Sequence, residues 1–175
     1  MGWFSNKLTV NRAGNTVGMA AVLMSFQESK NTLNAANEFV AGQKRRASGL
    51  SAQAFAVQGA SSYTGRSLQQ AINDLGNYER DGREVDEDLD QRMITMLRIT
   101  EQFSMPRGQR QLNLSGTDMT VAMMDSASEV CANLAILKRD HMDKVSNAVT
   151  NIDNADRELN GSSSSRASNL LPSFG

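Results

Sequence analysis

The sequence is short of the residues that stop helices, cross-link chains or fill broad cores. It has two prolines, Pro106 and Pro172, one cysteine, Cys131, one histidine, His141, and 5% aromatic residues in a chain of 175. A single cysteine excludes an intramolecular disulfide framework, and with one histidine it also excludes the usual Cys/His zinc sites. No proline precedes Pro106 and none lies between it and Pro172, so long helices are barred nowhere else by that residue. So few aromatic side chains cannot fill a broad core, and a thin all-α protein of one domain is expected. No secretory signal is expected, because the start is amphipathic and the apolar run comes later, and no myristoylation signal, because residue 6 is Asn where Ser or Thr is needed. The chain reads as soluble and unprocessed.

What is present is a hidden charge polarity. The formal net charge is -1, but up to Arg66 seven bases (Lys7, Arg12, Lys30, Lys44, Arg45, Arg46, Arg66) face two acids (Glu28, Glu38). From Ser67 to Gly161 the balance reverses, with 17 acids against 10 bases. The near-neutral total conceals a basic first third and an acidic remainder.

Three regions follow along the chain. Residues 1–66 form an N-terminal helical region with an apolar segment at 17–26 and a basic cluster at 44–46. The segment from Val17 to Phe26, with Val17, Met19, Val22, Leu23, Met24 and Phe26 as its large side chains, is about half the 20 residues needed to span a bilayer. It reads as a helix packed on other helices or as a membrane-inserting one. Lys44, Arg45 and Arg46 read as a solvated turn of helix or as a contact for DNA, lipid phosphate or an acidic partner. Residues 47–66 are rich in Ala, Ser, Gly and Gln and suit either a close-packed helix or a loose connection, with a breaker between Gly59 and Gly65.

Residues 67–160 carry the strongest periodicity. With Ser67 as N-cap, Leu68, Ala71, Leu75, Tyr78, Gly82, Val85, Leu89, Arg92, Met96, Ile99 and Phe103 follow alternating steps of three and four. This heptad predicts a helix with a narrow seam, about 55 Å long if continuous. Gly82 inside it costs roughly 1 kcal/mol relative to Ala and marks a break or kink. Pro106 ends the helix, the turn occupies 104–118, and Thr117 or Asp118 caps the next one. There, Met123, Ala127, Val130, Leu134, Leu137, His141, Val145, Ala148, Ile152, Ala155 and Leu159 repeat the pattern with one extra four-residue step after His141, a stutter. The two helices form an antiparallel hairpin. Residues 161–175 are a Ser-rich tail. These seams are expected to bring copies of the chain together side by side, as a homo-oligomer.

Catalytic chemistry is not expected. His141 lies on the apolar seam, and Asp140 and Asp143 do not face it at their spacing. It reads as a packing residue or as half of an interhelical hydrogen bond. Cys131 sits between Val130 and Ala132 with no base at helical spacing, as an inert thiol. The seven acids between Glu79 and Arg92 lack calcium-loop spacing and read as a solvated face. No phosphate-cradling loop or metal-ligand cluster is visible, and no cofactor is expected.

Around the turn, Ser115, Gly116, Val121 and Asp125, together with the Ala/Gln/Ser segment from Ala47 to Gln58, the apolar run from Val17 to Phe26 and the opening Trp3, give the chain a layout that resembles the internal virion (core or ejection) proteins of short-tailed bacteriophages. The resemblance implies a protein packaged inside the capsid near the portal. It would leave through the tail at infection and help form a DNA conduit in the host envelope. It implies other core, portal or tail proteins as partners, with the host outer membrane and non-specific DNA as further contacts. A helical adaptor or coiled-coil scaffold of a tail or secretion assembly, with no membrane role, is the alternative.

Overall fold

The computed structural model describes residues 12–109 and 116–161. Among these the chain is all-α, as its composition requires: α1 spans Arg12–Gln58, α2 Tyr63–Ser104 and α3 Gly116–Asn160, with a single 3-10 turn at Arg107–Gln109. The side chains of Val17, Met19 and Phe103, together with Trp3, Ser115 and the tail from 162 to 175, lie outside the described residues.

From Arg12 to Gln58 the chain is one continuous helix of 47 residues. Its buried positions Leu33, Ala36, Val40, Gln43, Ala47, Leu50 and Ala54 alternate steps of three and four, so α1 has a heptad seam of its own. Alanine fills much of that seam, which lets α1 approach its neighbours closely. Gly59 closes α1 with φ +88 and an N–H that donates to the Phe55 carbonyl at 3.1 Å. This is a left-handed cap at the predicted breaker. The next helix starts earlier than Ser67: Ser62 accepts from the Gly65 N–H at 3.0 Å and is the cap. Gly161, with φ +67, ends α3 in the same left-handed way.

Gly82 does not break α2, which runs through it. The residue is buried because a Cβ there would lie 2.7 Å from Asn37 Oδ1 and 3.4 Å from Tyr78 Cε1. Glycine here makes room for a neighbouring helix at the cost of some helix propensity.

The helices are shared between two compact units, one containing residues up to Asn31 and Val85–Leu134, the other containing Thr32–Glu84 and residues from Ala135 onward. Unit 1 packs Val22 and Phe26 of α1 with Leu89, Met96 and Ile99 of α2 and Met119, Met123, Ala127, Val130 and Leu134 of α3. Its core is rich in methionine, a side chain that fills irregular gaps. Unit 2 packs the α1 seam with Leu68, Ala71, Leu75 and Tyr78 of α2 and Leu137, Val145, Ala148, Val149, Ile152 and Ala155 of α3. In unit 2, α2 runs antiparallel to α3, since Thr64 meets Glu158 and Asp81 meets His141. α1 runs parallel to α3, since Arg46 meets Asp153 and Gln53 meets Asn160.

The packing places the α2 and α3 seam residues inside the chain. Leu68, Leu75, Tyr78, Leu89, Met96, Ile99, Met123, Val130, Leu134, Leu137, Val145 and Ile152 are buried within the single chain, and Val85 is half-buried. They are covered by one another and by α1, which supplies the third face of each unit.

Candidate functional site

Part of the charge polarity of the sequence is paired between helices. In unit 1, Lys30 of α1 donates to Asp86 at 2.6 Å and lies 2.8 Å from Asp90, both on α2. In unit 2, Lys44 meets Glu79 of α2 at 2.8 Å, and the Arg46 guanidinium spans Asp153 at 2.6 Å and Asp156 at 2.7 Å on α3. Burial works to lower the Lys30 and Arg46 pKa values, but the hydrogen bonds and charges of their carboxylates outweigh it and both are raised. The basic cluster is therefore no solvated turn: Lys44 and Arg46 are paired inside unit 2, and Arg45 alone of the three is exposed. DNA contact through all three would first have to break those pairs. On α2, Arg92 likewise bonds Asp88 at 2.7 Å, and Asp88 accepts from Asn133 of α3 at 3.1 Å.

The densest polar arrangement lies in unit 2, around Gly82. His141, 6% exposed, sits 2.7 Å by its Nε2 from Asp81 Oδ2. A carboxylate only accepts, so Nε2 carries the hydrogen. Tyr78, fully buried, meets the His141 ring edge-on with centroids 5.6 Å apart. Burial pushes the Tyr78 hydroxyl pKa well above its ordinary value. Asn37 of α1 completes the group beside Gly82. Three buried atoms here find no partner among the described residues: Asn37 Oδ1, Tyr78 Oη and His141 Nδ1. The seam position of His141 pointed to an interhelical hydrogen bond, but sequence reasoning missed Asn37, Asp81 and the tyrosine hydroxyl.

The hydrogen bond from His141, helped by Arg80, holds the Asp81 carboxyl below its ordinary value of 3.8. A carboxylate with a lowered folded pKa contributes stability above its unfolded value, which is lost as pH falls through the folded value. The stability gap between wild type and Asp81→Asn, from urea midpoints between about pH 5 and about pH 2, is therefore expected to shrink towards zero on acidification. A gap that does not change with pH would contradict this assignment.

The remaining candidates are less organised. Cys131 is half-buried and its thiol pKa is raised by burial, which disfavours the nucleophilic thiolate. Among the described residues no group of three or more His, Cys, Asp or Glu is placed to hold a metal ion. The apolar segment at 17–26 is divided in role: Val22 and Phe26 are core residues of unit 1, Leu23 is half-buried, and Met24 is 66% exposed. No helix among the described residues is long and apolar enough to cross a membrane. Unit 1 also exposes Ile94, Leu97 and Val121, and unit 2 exposes Phe55, Val57, Tyr63 and Ile136. Gly116 is the first residue of α3, and Asp125 lies exposed two turns further along it. Comparison with protein-family models, with curated proteins and with solved structures finds no match for this chain.

Proposed function

We propose that the protein is a helical structural component of a virus particle, an internal virion protein of a short-tailed phage that leaves with the genome and helps to line its path into the host. The observation that carries the structural half of this reading is the pairing of charges from helix to helix. The α1 cations Lys30, Lys44 and Arg46 are committed to acids of α2 and α3, and a hydrogen bond joins His141 of α3 to Asp81 of α2 beside them. Groups engaged in this way hold a scaffold together and are not free for acid–base work. The viral half rests on the resemblance at the Ser115–Gly116 turn and in the overall layout. Partners would dock on apolar side chains such as Ile94, Leu97 and Val121 of unit 1.

The test is the protein content of purified particles treated externally with protease. An internal protein survives intact and disappears from the emptied shell after ejection. Absence from washed particles would refute the reading.

A helical adaptor without a membrane role is the second reading. It is favoured by Val22 and Phe26, which are spent on the core of unit 1 and not displayed. Liposome leakage separates the two. Under the first reading the Leu23→Asp/Met24→Asp double variant leaks markedly less than wild type, and under the second the two are equal.

A further inference from the structure

We propose that the unit 2 core holds one internal water molecule, bound jointly by Asn37, Tyr78 and His141, which ties the three helices together through a single polar joint. The three atoms that lack protein partners come from three different helices. The residues that bear them are neighbours, because a Cβ at Gly82 would lie 2.7 Å from Asn37 Oδ1 and 3.4 Å from Tyr78 Cε1, and the Tyr78 ring abuts His141.

Their hydrogen-bonding characters select the ligand. His141 donates through Nε2 to Asp81, so in the neutral ring Nδ1 is an acceptor. Asn37 Oδ1 is an acceptor as well, and two acceptors cannot satisfy each other. The Tyr78 hydroxyl has one hydrogen to give. A molecule that donates twice and accepts once completes the set, and water does so: one O–H to His141 Nδ1, the other to Asn37 Oδ1, and a lone pair for the Tyr78 O–H. Three bonds are the usual complement of a buried water, and such waters fill polar gaps that side chains leave. Gly82 makes this geometry possible, since a Cβ there would press on Asn37 at 2.7 Å.

The test uses the full chain. Magnetic relaxation dispersion of water oxygen-17 counts long-lived internal waters, and the Tyr78→Phe/His141→Leu variant is expected to hold one fewer than wild type. An unchanged count in the folded variant would overturn the proposal. Should that variant not fold, the wild type decides the matter by nitrogen-15 NMR. The proposal requires the Nε2–H tautomer of His141 and a cross-relaxation signal from its Hε1 to water. A ring protonated at Nδ1 alone, or no signal to water, would equally overturn it.

Discussion

Leu75→Asp is expected to abolish the folded state of unit 2 at every protein concentration. Leu75 is fully buried on the α2 seam of that unit, and a carboxylate placed there without a partner costs roughly 4 kcal/mol or more, a large share of the stability of a small domain. The variant also separates two uses of the same seam. If Leu75 faces neighbours of its own chain, the variant loses helical circular dichroism and binds an apolar dye whether dilute or concentrated. If the seam joined copies of the chain, the same change would leave a folded helical monomer and remove only the oligomer. Sedimentation and circular dichroism on one sample distinguish these outcomes. Leu97→Asp is the control, since Leu97 is 55% exposed and its replacement should leave folding close to wild type.

Arg46→Ala has the second largest expected effect, about 3 kcal/mol. The Arg46, Asp153 and Asp156 side chains are 22%, 9% and 14% exposed. Removing the guanidinium leaves two carboxylates close together in a poorly hydrated place, and that penalty exceeds the value of the pairs themselves. Two further variants make the argument specific. Arg46→Ala with Asp153→Asn and Asp156→Asn should recover much of the loss, because the amides carry no charge to strand. Arg46→Lys should recover little, since an ammonium cannot span two carboxylates as the planar fork does. Urea midpoints for the four proteins give the cycle, and equal losses in the single and triple variants would show that charge is not the cause.

The parts of the fold that were legible in the sequence are those where large aliphatic side chains fall on heptad positions. In α2 and α3 most of those positions carry Leu, Ile, Val, Met or Ala, and among the described side chains the predicted stripes are buried except at Val85, Arg92 and Leu159, which are half-buried. The α1 seam was not legible, because Ala36, Gln43, Ala47 and Ala54 give it little hydrophobic contrast, although its spacing is as regular. With the α1 seam unseen, the third face that covers the α2 and α3 stripes was not visible either. Gly82 was noticed for its helix propensity, while its role depends on Asn37, 45 positions earlier in the sequence, which no local pattern reveals. The same applies to the ion pairs. The opposite charges of the two parts of the chain were visible, but which cation meets which carboxylate depends on how the helices align.

That alignment has a consequence for the order of events in folding. Unit 2 is discontinuous in sequence, with the α2 and α3 residues of unit 1 lying between its two parts. Lys44 finds Glu79 only 35 residues on, but Arg46 must wait for carboxylates 107 and 110 residues later. In a growing chain Arg46 therefore meets its α3 carboxylates only when nearly the whole of α3 has emerged, and closing so long a loop is slow. Prior formation of unit 1 would shorten that loop, because it gathers the intervening chain. During synthesis the Arg46 guanidinium is a temporary liability for binding polyanions, one removed when Asp153 and Asp156 arrive.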